Sequence, residues 1–82
     1  MPIEAYCPES QNIVKNLYYI ALRTGRGITD IELSAGCSSG TMAMARKRNS
    51  SFTIRTALRL AKVVDIGLME LMKDPDDFRK EY

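Results

Sequence analysis

The sequence contains no histidine and only two cysteines, Cys7 and Cys37, among its 82 residues. With no histidine and two thiols far apart in the chain, no zinc-ligand spacing exists. One disulfide would give little support to a small secreted scaffold, so we expect both thiols to be reduced. The sequence also has no Ser/His/Asp set, no paired-carboxylate cleft and no phosphate-binding glycine loop. We therefore expect neither an enzyme nor a bound cofactor.

Long apolar runs are also missing. None approaches the roughly 20 residues that a membrane-spanning helix needs. The first residues, Met-Pro-Ile-Glu-Ala-Tyr, lack the charged and apolar regions of a signal peptide. We therefore expect a cytoplasmic protein with no membrane partner. Its apolar and charged fractions, 45% and 27%, are those of an ordinary globular domain, and a chain this short builds one modest core.

The charges are unevenly distributed, although the net charge is only +2. The segment from Lys15 to Lys62 has nine basic and two acidic residues, a net charge of +7. The two flanks have three basic and eight acidic residues, a net charge of −5. A basic centre between acidic ends is typical of a surface that meets phosphate, and ordinary solvated faces are the alternative.

Apolar residues recur at helical spacing, and no run alternates as a strand would. In the first predicted helix, which Gly25 and Gly27 would end, the residues on one face are Ile13, Val14, Leu17, Ile20 and Ala21. We predict an all-α fold of five helices within residues 10–73, the fifth running from Leu68 to Met72. Residues 1–9 are predicted to be an N-terminal arm. Residues 74–82 form an acidic tail that either adds one more turn or is loose. The first four helices each begin at a predicted polar N-cap: Ser10, Thr29, Ser38 and Thr53.

The second and third predicted helices lie close together in the sequence. Thr29-Asp30-Ile31-Glu32 matches a capping box, in which the Glu32 carboxylate would reach back to the amide of Thr29. Gly36 would end the second helix, because a residue without Cβ readily takes the left-handed conformation. The third helix would run from the Ser38 cap to about Arg48. Three residues of this segment are predicted to face the core: Cys37, Met42 and Ala45.

The fourth helix and the C-terminal end carry many apolar residues. The predicted buried stripe of the fourth helix consists of Ile54, Ala57, Leu58, Ala61 and Val64. Its predicted solvent-exposed side consists of Arg55, Arg59 and Lys62. The apolar residues of the C-terminal end are Leu68, Met69, Leu71, Met72 and Phe78. These either pack onto the first and fourth helices or form a homodimer contact.

Two short capped helices joined by a glycine turn resemble the helix-turn-helix of phage repressor and Cro-like (lambda-repressor-like) domains. The resemblance covers roughly Ile13 to Met72. The residues on the family's core and turn positions are Ile20, Ile31, Gly36, Cys37, Ser38 and Met42. The stretch from Thr56 to Met72 looks like the family's fourth and fifth helices with the break between them. Glu32 departs from the pattern, because the family usually has Ala there, and a short second helix that starts at Thr29 accounts for this.

The resemblance implies a DNA-binding transcription regulator, often a homodimer, whose second helix braces a third helix in the major groove of double-stranded DNA. The residues expected to meet DNA are Thr29, Ser38, Ser39, Gly40, Thr41, Ala43, Met44, Lys47, Arg48 and Arg55. The first half of the third helix has small side chains, so phosphate contacts should contribute more than base contacts. The same face could instead meet a protein, as in an antirepressor that binds another regulator.

Overall fold

The structure, a computed structural model, describes residues 8–48 and 53–82, and it describes the backbone but not the side chain of Arg48. This described part has six α-helices and no strand, which confirms the all-α prediction. The helices are α1 (Pro8–Thr24), α2 (Ile28–Ser34), α3 (Thr41–Arg48), α4 (Ile54–Val64), α5 (Leu68–Leu71) and α6 (Pro75–Glu81).

Helix α1 is the centre of the fold and contacts α2, α3, α5 and α6. Its buried apolar residues are those that the helical spacing predicted: Ile13, Val14, Leu17, Ile20 and Ala21. The helix begins at Pro8, two residues before the predicted Ser10 cap, and Ser10 itself is buried. Proline suits a first helical turn because its missing N–H would have had no partner there. Gly25, with φ +75°, follows the last turn, as predicted.

Helix α2 has no side-chain cap at its N-terminus, so the predicted capping box at Thr29 is wrong. The N-cap is Gly27, and the helix begins at Ile28. At the other end, Gly36 takes the left-handed conformation with φ +78°. Its N–H donates to the Leu33 carbonyl, and the Cys37 N–H donates to the Glu32 carbonyl. These two bonds form a Schellman motif, which confirms that Gly36 ends the second helix.

Helix α4 begins as predicted, with the Thr56 N–H donating to Thr53 Oγ1 at 3.2 Å. It packs on α2 and α5. Its buried residues are Ala57, Leu60 and Ala61. Ile54 and Leu58 are 70% and 52% exposed, so the predicted stripe is wrong at both positions. The physical reason is that α4 packs on α2 and α5 through the side that carries Ala57 and Ala61. Ile54 and Leu58 lie at the edge of this packed side.

The C-terminal tail adds the sixth helix. Asp74 caps α6 by accepting from the Asp76 N–H, and α6 packs on α1. The Phe78 ring is fully buried, edge-on to Tyr19 with 6.2 Å between ring centroids. Leu71 is fully buried as well. The C-terminal apolar residues therefore contribute mainly to the domain's own core, although Met69 stays exposed.

Two asparagines of α1 hold the end of α5. Asn12 Nδ2 donates to the Met72 carbonyl at 3.1 Å. Asn16 Nδ2 donates to the Leu71 and Lys73 carbonyls at 2.8 and 2.9 Å. These bonds satisfy carbonyls that have no partner within the helix. Across residues 8–48 and 53–82, no helix is both long and apolar enough to cross a bilayer.

Candidate nucleic-acid interface

The connection between α2 and α3 spans residues 35–40 and contains two left-handed glycines, Gly36 and Gly40, with φ +78° and +89°. Ser38 lies within this connection, and α3 begins at Thr41, three residues after the predicted Ser38 cap. The Ser38 carbonyl accepts from both the N–H and the hydroxyl of Thr41, at 3.2 and 2.6 Å. The prediction that Ser38 starts the helix is wrong because Gly40 turns the backbone out of the helical path.

The N-terminus of α3 is capped by Glu32, from α2. This carboxylate is buried, with only 1% of the residue exposed. Oε1 accepts from the Gly40 N–H at 3.1 Å, and Oε2 accepts from the Met42 N–H at 2.6 Å. Both oxygens of Glu32 therefore bond to the start of α3, and the predicted bond to the Thr29 amide is not formed. An external phosphate would meet a negative charge at this helix end rather than free amides.

Three contacts fix α3 to α1. Met42 and Ala45 are buried, as predicted. Gln11 Nε2 donates to the Ala45 carbonyl at 3.2 Å. The Arg46 guanidinium lies over the Tyr18 ring, 5.0 Å from its centroid, which is a cation–π distance. Together with Glu32, these contacts determine which side of α3 faces solvent.

The outward side of this segment carries most of the predicted interface. The exposed members of the predicted set on the connection and α3 are Ser38, Ser39, Ala43, Met44 and Lys47. Gly40 and Thr41 are half-buried, and the Thr41 hydroxyl already donates to a carbonyl. Thr29 and Arg55 are exposed in the first turns of α2 and α4. The side chain of Arg48 lies outside the described part.

Two features of this region were not assigned to the interface from sequence. Glu32 positions α3, and the signal available in the sequence was its departure from the Ala that the family usually has there. Arg59 of α4 lies against the connection, since a Cβ at Gly36 would come 3.7 Å from its Nη1. Arg59 and Lys62 line an open groove of about 590 Å³ beside the end of α2.

Cys37 is half-buried under the connection and packs against the core. Burial raises the pKa of its thiol, and the negative charge of Glu32 raises it further. The Arg59 guanidinium opposes both effects and lowers the pKa. The thiol therefore stays protonated near neutral pH and is a weak nucleophile.

No three His, Cys, Asp or Glu side chains within residues 8–48 and 53–82 form a group that could hold a metal ion. Lys47 and Arg55 of the candidate interface form no ion pair with any residue that the structure describes. Comparison with protein-family models, with curated proteins and with solved structures finds no match for this chain.

Proposed function

We propose that this protein is a sequence-specific DNA-binding transcription regulator in which α2 and α3 act as a helix-turn-helix. The observation that carries the proposal is that α3 is fixed on the domain with one side exposed to solvent. Its inner side is buried and its N-terminus is fixed by Glu32, while Ala43, Met44 and Lys47 face solvent. A helix held in this way fits the major groove, which is wide enough to admit it.

The side chains of α3 suggest how DNA would be read. Ala43 is small, as is Ser39 in the connection just before α3, so the helix backbone can approach the bases closely. Ala43 and Met44 can make apolar contacts with thymine methyl groups. Lys47 near the end of α3 and Arg55 at the start of α4 are suited to phosphates. The negative charge of Glu32 favours these sites over the N-terminus of α3 for the DNA backbone.

The connection between α2 and α3 is longer than the turn of about three or four residues that is typical of the motif. Glu32 compensates for that length, because its carboxylate joins α2 directly to the first amides of α3. The pair can therefore move onto DNA as one body.

The test is a titration of the protein against random and selected duplexes at roughly 150 mM salt, a physiological ionic strength. We expect a selected sequence to bind about a thousandfold or more tighter than random DNA. Lys47→Ala should weaken binding to every sequence and reduce the salt slope by about one. Lys80→Ala removes another exposed lysine, from the acidic C-terminal end, and should leave both the affinity and the salt slope unchanged.

Equal behaviour of the Lys47 and Lys80 variants would place the DNA surface elsewhere. Binding that is weak and indifferent to sequence would instead favour a second candidate, an antirepressor-like module that binds another regulator. The observation in its favour is Met44, which is 44% exposed beside Ala43 on a face with few hydrogen-bonding side chains. A pull-down with α3 variants would then identify the partner.

A further inference from the structure

The outward side of α4 combines apolar and cationic side chains in two adjacent rows. Residues four apart lie on one row of a helix surface. The first row consists of Ile54, Leu58 and Lys62, and the second of Arg55, Arg59 and Val63. All are exposed except Val63, which is half-buried. We call Ile54, Leu58, Arg59, Lys62 and Val63 the α4 outer face, and leave Arg55 to the proposed DNA surface.

A groove of about 590 Å³ runs along one edge of this face, between α4 and the end of α2. Val63 and Ala35 supply apolar walls, and Arg59 and Lys62 supply the charges. Gly36 leaves the groove open because it has no side chain, and its φ of +78° disfavours any other residue. The volume is that of a cleft that accepts side chains or a small ligand.

Among residues 8–48 and 53–82, the cations of the α4 outer face have no anionic partner. In the described ranges, no carboxylate lies within ion-pair distance of Arg59 or Lys62, whereas Arg26 and Lys73 each pair with carboxylates. The face therefore offers two unneutralised cations directly beside bare aliphatic side chains. Its chemical complement is a surface that carries carboxylates and apolar groups at matching spacing.

We propose that the α4 outer face docks an acidic amphipathic helix from another protein. Apolar side chains of the partner helix cover Ile54 and Leu58, and its carboxylates pair with Arg59 and Lys62. This is recognition of an amphipathic helix through its apolar side, here on Ile54 and Leu58 beside the groove, and charge complementarity at the groove edge sets the orientation of the partner.

Two other occupants fit less well. A DNA backbone would leave Leu58 and Ile54 without an apolar partner, and a duplex is too wide to enter the groove. A second copy that used the same face around a two-fold axis would bring four cations, Arg59 and Lys62 of each copy, into one contact with no carboxylate on that face. Repulsion among these like charges disfavours the contact.

The probe is a fluorescein-labelled peptide of roughly 16 residues, long enough to form a helix. Leucines at helical spacing make one face, and glutamates occupy the remaining positions. A scrambled peptide of the same composition is the control ligand. We expect the periodic peptide to bind the full chain at least about tenfold tighter than the scrambled one, since only it presents both patterns together.

Variants then locate the site. Arg59→Ala/Lys62→Ala should weaken peptide binding about tenfold or more, as removal of paired interface charges does. Leu58→Gln keeps every charge and should also weaken it severalfold. Lys47→Ala, which removes a cation from α3, should leave peptide affinity unchanged while it weakens binding to duplex DNA. Ile54→Gln repeats the apolar test in case Leu58→Gln lowers stability.

Three results would overturn the proposal. Equal affinity for the periodic and scrambled peptides would reduce the effect to general charge attraction. Unchanged peptide affinity in Arg59→Ala/Lys62→Ala would put the site elsewhere. A loss of duplex DNA binding in that double variant as large as the loss in Lys47→Ala would make this face part of a DNA surface.

Discussion

Glu32→Ala is the substitution that tests the architecture of the interface most directly. It removes the acceptors of the Met42 N–H, which is buried, and of the Gly40 N–H, which is half-buried. An unsatisfied buried donor costs about 1–3 kcal/mol, and bonds to a charged group lie at the upper end. We therefore expect the free energy of unfolding to fall by about 3 kcal/mol, against a total of ~5–15 kcal/mol for a small domain.

The measurement is urea unfolding followed by circular dichroism, with a thermal melt as a second readout. A loss of this size corresponds to a melting temperature lower by ~12–24 °C in a domain of this length. Glu32→Gln keeps the side-chain shape but points an NH₂ group at a donor, so we expect about half the loss. Asp30→Ala removes the same charge from the exposed side of α2, where it pairs with Arg26, and should cost less than about 1 kcal/mol. If Glu32→Ala costs no more than Asp30→Ala, the carboxylate does not hold α3.

Three further substitutions test other parts of the fold. Gly36→Ala should lower the free energy of unfolding by about 1–2 kcal/mol because φ is +78°. Gly27→Ala, at φ −74°, should change it by less than about 0.5 kcal/mol, because the smaller entropy of the unfolded chain offsets the weaker N-cap preference of Ala. Equal effects of the two substitutions would contradict the left-handed turn. Phe78→Ala should cost about 3–5 kcal/mol in the same urea assay, and a near-neutral result would mean that α6 does not pack on α1. The hydrogen bond from Lys73 lowers the pKa of the Glu81 carboxyl. The ionised Glu81 carboxylate therefore stabilises the fold above the usual glutamate pKa, and this stabilisation is lost as the pH falls below about 4. Glu81→Gln should remove this part of the acid dependence, and a pH profile of stability identical to that of the parent chain would refute it.

Local signals in the sequence predicted several elements correctly. The apolar spacing of α1, the Thr53 cap and the Gly36 terminator each depend on residues within one or two helical turns. The buried positions Met42 and Ala45 follow from the same short-range periodicity. Such features are readable because backbone conformation and capping involve neighbours along the chain. The proposed DNA-facing residues come from the resemblance, and they stay a prediction.

The tertiary structure decided the features that depend on distant partners. Glu32 had a local choice, the Thr29 amide, and a distant one, the amides of Gly40 and Met42, and the distant pair prevails because α3 packs beside it. Ile54 and Leu58 match a buried stripe by spacing, yet only the placement of α4 on its neighbours determines which part of an apolar arc is covered. In each case the sequence defines which groups need a partner, and the packing of the helices determines which partner they meet.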